Sequence, residues 1–186
     1  MLHPASLPDL GFIRRLLGEG ATEGSFDPEL AGATPAAEAF FANLGHALRY
    51  GYLRTPDAAG RHTARDVRVA GYVYATQAES PPVGFGLFKE LKPGSFELWL
   101  TGIAAEARGH GHGRAMLGEL LATPAGQKAY VVCCPRKSRS ADVAVGLFRS
   151  FGFALCRATP GLLWLVSTKA PPEFATLIAN APIMPL

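Results

Sequence analysis

The hydrophobic pattern of the chain changes from helical to extended just after Gly51, and this change limits the possible folds more than any other feature. Before it, two segments repeat apolar residues along one helical face: Leu7 to Gly18, and the stretch EAFFANLGHALRYG that follows Thr34-Pro35. After it come three runs rich in Val, Phe and Tyr, separated by Ser-Pro-Pro and Lys-Pro-Gly turns: DVRVAGYVYAT, PVGFGLFKEL and SFELWLTGI. The sequence therefore predicts two helices followed by a meander of three strands.

Helical and extended segments alternate in the second half of the chain. The helical period returns at Gly113 and stops before Pro124, and AYVVCC predicts a short buried strand. Ser140 to Phe151 is expected to form another helix, after which the runs FALCRA and LLWLVS pair as a final hairpin. The tail from Ala170 to Leu186 is expected to be an arm or a poorly ordered end.

Length and charge narrow the functional classes. The 186 residues are expected to form a single domain, residues 1–186, around one core. With 18 Lys and Arg against 15 Asp and Glu, the net charge of +3 comes without the long basic tracts of nucleic-acid binders, and the scattered Arg61, Arg65 and Arg68 add little. We therefore expect no nucleic-acid partner, whereas anionic small molecules fit the mild positive excess.

Neither a membrane segment nor a disulfide framework is indicated. No apolar run reaches the roughly 18 residues of a membrane span, and arginines interrupt the N-terminal stretch where a signal peptide would be apolar. The three cysteines lack any CxxC spacing, which argues against both structural disulfides and a zinc site. We expect a cytoplasmic protein with reduced thiols and no membrane partner.

A glycine-rich stretch, ARGHGHGR at residues 107–114, joins the strand SFELWLTGI to the next helix. A helix start exposes unpaired N–H groups, and glycine lets the main chain approach a ligand closely, so this turn suits a phosphate or pyrophosphate. The dinucleotide motif GxGxxG would need glycine where Arg114 stands, and neither GxxxxGKS nor GxxxxGKT is present. His110 and His112 lack nearby ligands at a spacing that completes a set, so we expect no metal.

Residues 108–113, RGHGHG, resemble the (Q/R)xxGx(G/A) signature of the GNAT superfamily of acyl-CoA-dependent N-acyltransferases. The order of elements from about Val67 to Val166 is similar to that of the superfamily as well. The resemblance implies an α/β fold with a mixed, mostly antiparallel central sheet flanked by helices, and a groove between two splayed strands. It also implies acetyl-CoA as the acyl donor, with its pyrophosphate bound by main-chain amides of the loop. The loop residues expected to bind this cofactor are Arg108, Gly109, Gly111, His112, Gly113 and Arg114.

The strand before the loop is expected to carry the acyl chemistry. Gly102 is the residue type that favours a β-bulge or a close approach of the main chain, although glycine could also be merely tolerated beside Trp99. The resemblance places the bulge at this glycine. It implies that the main chain near Ile103 hydrogen-bonds the thioester carbonyl and polarises it during attack by an amine.

Glu97 is the candidate general base. An amine with a pKa of about 10 is mostly protonated at neutral pH, so a base is needed before it can attack a thioester. Strand alternation puts Glu97 on one face with Trp99 and Thr101, and Glu97 lies eleven positions before Arg108. That placement resembles the general-base glutamate of the histone-acetyltransferase branch. The alternative is a solvated strand glutamate near a sheet edge.

The proton donor of the family pattern is missing. Many members of the superfamily have tyrosine in an LYxxxGF-like segment, where this chain has Phe148 in LFRSFGF. A phenyl ring cannot protonate a departing thiolate. Three explanations remain: another donor such as Ser138 or Ser140, water, or no acid at all, since a thiol with a pKa of about 8.5 leaves readily.

Two further groups near the candidate site have competing interpretations. Cys133 and Cys134 could be nucleophiles of a covalent route, but a strand cysteine is more often a small core residue. The basic run from Pro135 to Arg139 could contact the ribose phosphate of CoA or an acidic substrate, or it could be a solvated loop.

The expected function is transfer of an acetyl group from acetyl-CoA to a primary amine, of a small molecule or a peptide, by direct attack. The alternatives are a catalytically inactive CoA-binding or sensing module, an interaction protein with the same fold, and an enzyme acting on an RNA-borne amine. In the superfamily the acceptor pocket is built from the first helices and the terminal segments, here Leu7 to Gly51 and the tail. The final hairpin could supply a homodimer contact.

Overall fold

The computed structural model describes residues 1–55, 65–136, 138 and 140–180. This part of the chain contains five α-helices and eight strands. The helices are α1 (Leu10–Thr22), α2 (Pro35–Tyr50), α3 (His112–Ala122), α4 (Ala141–Ser150) and α5 (Pro172–Asn180). The strands are β1 (Leu2–Pro4), β2 (Tyr52–Thr55), β3 (Arg65–Ala75), β4 (Pro82–Lys92), β5 (Ser95–Ile103), β6 (Ala129–Pro135), β7 (Phe153–Ala158) and β8 (Leu162–Ser167).

The strands form one mixed sheet in the order β1-β3-β4-β5-β6-β8-β7, and β2 pairs with the first residues of β3. Among the described strands only β5 and β6 are parallel, because α3 carries the chain across one face of the sheet between them. Every other pair of strands is antiparallel. The expected α/β fold with a mixed, mostly antiparallel sheet and flanking helices is confirmed.

Helices cover both faces of the sheet. On one face α3 and α4 pack against a core that includes Phe88, Leu98 and Leu165, and on the other α1 and α2 pack over β3 to β5. Val131 of β6 contacts α5, whereas its neighbour Val132 belongs to the core of α3 and α4. Because successive strand residues face opposite sides, α5 lies on the same face as α1 and α2.

The predicted order of helices and strands is confirmed, but three elements were missed. β1 and β2 have only three and four residues, too few for an alternating pattern to stand out. The prediction of an arm or poorly ordered tail is wrong for Pro172–Asn180, which form α5 with Phe174 and Ile178 buried. Pro172 marks the first turn of this helix, where proline is favoured. Residues 181–186 of that tail lie outside the described residues.

Local sequence signals set the ends of α2. The Thr34 hydroxyl accepts a hydrogen bond from the Ala37 N–H at 3.1 Å, and Pro35 is the first helical residue. Gly51 ends the helix with a φ of 82°, a left-handed conformation that glycine adopts without strain. The helix therefore stops where the chain must turn into β2.

Candidate functional site

The strands β5 and β6 separate partway along the sheet. Phe96 to Leu98 of β5 pair with Ala129 to Val132 of β6, and the described register ends there. β5 runs on to Ile103 and β6 to Pro135, while β6 pairs with β8 along its other edge from Val131 to Pro135. The two parallel strands thus open a groove, called the β5–β6 groove below, and among the described residues no strand pairs with β5 on that side beyond Leu98.

A β-bulge lies in β5 at Trp99. Leu98 is opposite Phe88 and Leu100 is opposite Leu87, so Trp99 is the extra residue. The prediction of a bulge at Gly102 is wrong, since Gly102 pairs regularly with Phe85. A Cβ at Gly102 would lie 3.1 Å from the Phe85 ring, so this glycine permits a close ring contact rather than a bulge.

The bulge changes which side chains share a face. Glu97 is opposite Lys89, but Thr101 is opposite Gly86, whose missing side chain would point at Leu120 of α3. Residues directly opposite each other in an antiparallel pair face the same side. Thr101 therefore faces α3, and the prediction that it shares a face with Glu97 is wrong because strand alternation is interrupted at the bulge.

The main chain of Ile103 is directed into the β5–β6 groove. The N–H of Ala104 donates to the Val83 carbonyl at 2.8 Å, which makes the neighbouring residue Ile103 a non-bonded position of the antiparallel ladder. Bonded and non-bonded positions alternate, so the main-chain groups of Thr101 and Ile103 point away from β4. The Ile103 carbonyl accepts a hydrogen bond from Arg108 Nε at 3.1 Å.

The glycine-rich loop holds a row of main-chain N–H groups at the start of α3. Gly109 and Gly111 have φ values of 80° and 81°, and Gly111 is the N-cap. Within the described part of the chain, no acceptor bonds the N–H groups of residues 109–113. The N–H groups of Arg114 and Ala115 both donate to the Gly111 carbonyl at 3.1 Å. Three consecutive amides, those of residues 111–113, are therefore available at the helix start, but that of Arg114 is already bonded.

The left-handed conformation of Gly111 should have a measurable effect on the free energy of unfolding. Gly111→Ala is expected to destabilise the protein by about 1 kcal/mol or more, because alanine is strained at this φ even though its Cβ meets nothing within 4 Å. Gly146→Ala, at an exposed and equally open position inside α4, should instead stabilise by about 1 kcal/mol. Urea unfolding of both variants measures the difference, and a Gly111→Ala protein as stable as wild type would contradict the strain.

The two arginines that flank the loop make contacts within the protein. Arg108 Nη1 lies 2.9 and 3.1 Å from the carboxylate oxygens of Glu23 at the end of α1, in addition to its bond to β5. Arg114 Nη2 donates to the Ser150 hydroxyl at 3.1 Å, and its guanidinium lies over the Phe151 ring. Arg108 thus ties the loop to β5 and α1.

Glu97 is buried where the strands separate. It is 5 % exposed, and its Oε2 lies 3.2 Å from Lys89 Nζ, which also sits 4.9 Å from the centre of the Trp99 ring. Burial raises the pKa of the Cys133 thiol, and the charge of the adjacent Glu97 carboxylate raises that pKa further. Glu97, Lys89 and Cys133 form a cluster, called the Glu97 cluster below, at the inner end of the groove.

Comparison with known proteins rests on structure alone. No family model matches the sequence, and no curated protein matches it either. Among solved structures, the chain is similar to a GCN5-related N-acetyltransferase from Kribbella flavida, with 19% identity and a TM-score of 0.57 over 89% of this chain and 95% of that one. The fold is that of the GCN5-related N-acetyltransferases.

Two more solved structures share this GNAT fold. A ribosomal-protein-alanine N-acetyltransferase from Brucella melitensis has 18% identity and a TM-score of 0.56, over 90% of this chain and 98% of that one. The protein yncA from Salmonella typhimurium, solved with its cofactor acetyl-CoA, has 12% identity and a TM-score of 0.59, over 92% of this chain and 96% of that one. The match spans nearly the whole length of each protein, so the N-terminal helices belong to the GNAT fold as well.

The position of the family tyrosine lies in the core. Phe148 is 4 % exposed and packs edge-to-face on Phe153, with ring centres 5.9 Å apart. The hydroxyls of Ser138 and Ser140 lie 3.1 Å apart at the start of α4, and Ser25 Oγ reaches Ser140 Oγ at 3.4 Å. These three hydroxyls are thus linked to one another across the loop that follows α1.

Burial makes the two strand thiols poor nucleophiles. It raises the pKa of Cys134 to about 11, and Cys134 packs in the core of α3 and α4, as expected for a small core residue. Cys133 stays protonated for the reasons given above. A covalent cysteine route is therefore disfavoured in this GNAT fold, because the thiolate is the reactive form.

The expectations about a metal site, a membrane span and the basic run from Pro135 to Arg139 concern residues that the structure describes in part. No three His, Cys, Asp or Glu side chains among them gather as a metal site, and none of their helices could cross a membrane. Arg136 Nη1 donates to the Thr159 carbonyl at 3.3 Å. The other basic residues of that run, Lys137 and Arg139, lie outside the described residues, as does Arg61.

Sequence reasoning missed three residues that shape the site: Lys89, Glu23 and Ser25. Each acts through a partner distant in sequence, namely Glu97, Arg108 and Ser140. For Lys89 a signal existed, since pairing the strands PVGFGLFKEL and SFELWLTGI as a hairpin brings a lysine opposite the glutamate. No local pattern could have indicated the other two.

Proposed function

We propose that this protein is an N-acetyltransferase that moves an acetyl group from acetyl-CoA to a primary amine by direct attack, with Glu97 as the general base. The observation that carries the proposal is the row of unbonded N–H groups at residues 111–113, beside a strand whose main chain opens into the β5–β6 groove. Its support also includes the GNAT fold and the relatives solved with acetyl-CoA and coenzyme A.

The loop and β5 are proposed to hold the donor. The amides of Gly111, His112 and Gly113 would bind the pyrophosphate, aided by the positive end of α3. The Ile103 N–H, directed into the groove, would bind the thioester arm of the donor and polarise its carbonyl. Acetyl-CoA supplies an activated acyl carbon and a thiolate leaving group. Arg108 would act by fixing the loop rather than by contacting phosphate.

Glu97 is proposed to take the proton of the acceptor ammonium, directly or through water. Its carboxylate lies at the inner end of the groove, where Lys89 balances its charge and holds Oε2 at 3.2 Å. Because Phe148 is buried and cannot donate, we propose that the thiolate leaves without it. Water or the linked Ser138 and Ser140 hydroxyls are the proton sources that remain.

A second candidate is a CoA-binding sensor without turnover. Two observations favour it: Phe148 replaces the family's proton donor, and Lys89 already pairs with the carboxylate that would serve as base. The proposed acceptor remains the amine of a small molecule or peptide; the alanine N-acetyltransferase among the similar structures acts on a protein amine by its name.

Calorimetric titration with acetyl-CoA, followed by thiol release with a panel of small and peptide amines, separates these functions. The proposal expects saturable binding of acetyl-CoA and amine-dependent release of CoA thiol. Binding without thiol release from any amine would favour the sensor. Absence of binding by folded protein would rule out both and leave an interaction protein with the GNAT fold.

A further inference from the structure

We infer that Lys89 is itself an acetyl acceptor, so that the protein acetylates its own Lys89 Nζ. The inference rests on the proposed function and names a modification site within the Glu97 cluster. Lys89 is a primary amine, and its Nζ lies 3.2 Å from Oε2 of Glu97, the proposed base. An acceptor amine must reach this same carboxylate to lose its proton.

The position of Lys89 is set by the sheet. It is directly opposite Glu97 in the β4–β5 pair, and Glu97 is next to Leu98, the last β5 residue that pairs with β6. Cys133 lies one residue beyond the last β6 residue that pairs with β5, near enough to this carboxylate for its charge to raise the pKa of the thiol. The lysine amine is therefore held at the inner end of the groove, where the proposed donor presents its acyl group.

A second lysine on the same strand provides the comparison. Lys92 also has a carboxylate and an aromatic ring as partners, Glu173 at 3.9 Å and the Phe174 ring at 4.1 Å. The side chain of its carboxylate partner Glu173 is 64% exposed, whereas only 7% of the Glu97 side chain is exposed. Lys92 is also the more exposed amine, at 39% against 28% for Lys89. Plain chemical acetylation, which follows exposure, would thus favour Lys92.

The reaction balances with acetyl-CoA as the only co-reactant. The Lys89 ammonium gives one proton to the Glu97 carboxylate, which passes it to solvent. The free Nζ then forms a bond to the acyl carbon as the carbon–sulfur bond breaks, and the second Nζ proton goes to the departing thiolate through water. The products are an uncharged amide at Lys89 and CoA thiol, with one proton released to solvent.

Acetylation would change the Glu97 cluster. The amide carries no charge, so the buried carboxylate of Glu97 would lose its counter-ion. The acceptor side of the groove would then present a net negative charge instead of an ion pair. An incoming ammonium would meet that charge without competition from the lysine.

The test is incubation of the full chain with acetyl-CoA and no added amine, followed by peptide mass analysis of every lysine. We expect the mass of one acetyl group at Lys89. Because a general base assists the reaction there, this label should accumulate at least about 10²-fold faster than label at Lys92. Its first-order rate constant should not change with protein concentration. Lys89→Arg should remove this label without moving it to Lys92, and Glu97→Gln should slow it by a similar factor.

Each outcome of this test supports or overturns the acetylation of Lys89. Equal labelling of Lys89 and Lys92, or faster labelling of Lys92, would show chemical acetylation and overturn the inference. Calorimetric binding of acetyl-CoA without label at Lys89 would overturn it while leaving the proposed function intact, and a failure to bind acetyl-CoA would overturn both. If Glu97→Gln does not fold, the ratio of Lys89 to Lys92 labelling in the wild-type protein still gives the answer.

Discussion

Glu97→Gln is expected to lower kcat for acetyl transfer to an amine by about 10²–10⁴-fold, the usual contribution of a positioned general base. Glutamine has nearly the same shape but cannot accept a proton. The affinity for acetyl-CoA should be unchanged, because the proposed donor contacts lie on the glycine-rich loop and Ile103 rather than on Glu97. Steady-state kinetics with a saturating amine, together with calorimetry, measures both quantities.

A matched control for this variant is Glu90→Gln. Glu90 lies on β4 next to Lys89, and its Oε1 accepts a hydrogen bond from the Gly94 N–H at 2.8 Å in the turn before β5. Glu90→Gln removes a carboxylate of the same sheet without touching the Glu97 cluster, so kcat should stay within about twofold of wild type. A loss of less than about tenfold in folded Glu97→Gln would contradict the role of Glu97 as base.

Gly113→Glu is expected to weaken acetyl-CoA binding by at least about 100-fold, equivalent to about 2.7 kcal/mol. A Cβ at this position meets only ordinary contacts, 3.8 Å from Ile103 Cγ1 and from Leu147 Cδ2, so the fold accepts it. The new carboxylate would lie in the first turn of α3, where it repels a pyrophosphate and obstructs the amides of residues 111–113.

In Gly113→Glu the free energy of unfolding should stay the same or rise, while the affinity for acetyl-CoA falls. Replacing a helical glycine by glutamate improves helix propensity, and a carboxylate near the helix start is favoured by about 0.3–1 kcal/mol. Urea unfolding should therefore show Gly113→Glu to be at least as stable as wild type. Gly146→Glu, at an open position on α4, adds the same charge without placing it in the first turn of α3 and should bind normally. Wild-type affinity in Gly113→Glu, or equal losses in both variants, would contradict a donor site at the loop.

The sequence indicated those parts of the protein whose signals are local. The change of hydrophobic period after Gly51 predicted the order of helices and strands, and the apolar pattern after Thr34-Pro35 predicted α2. The run RGHGHG predicted an amide-rich turn between a strand and a helix, and the structure has Gly111 as the N-cap of α3. Each of these depends on interactions within a few residues, which a single sequence contains.

Features that depend on strand register could not be predicted from the sequence. Glycine suggested a bulge at Gly102, but the extra residue is Trp99, because a bulge is fixed by how two strands pair and not by one residue type. The contact of Arg108 with Glu23 joins residues far apart in the chain. The helix α5 was missed because prolines near its start resemble a chain break as much as a first helical turn.

The bulge at Trp99 adds a side chain to β5 without adding length to the strand. On one side of it Glu97 pairs with Lys89, and on the other Gly102 and Ile103 pair with Phe85 and Gly84. The distance from Glu97 to Ile103 is therefore set by the five steps from Lys89 to Gly84 on β4, and the sixth step on β5 is taken up by the bulge. Deleting the extra residue would leave the register and the facing of both halves as they are. It would remove the Trp99 ring, which lies 4.9 Å from Lys89 Nζ and packs against Phe40 of α2. Variation in length at this point would thus remodel the surroundings of the amine while the base and the groove wall keep their places.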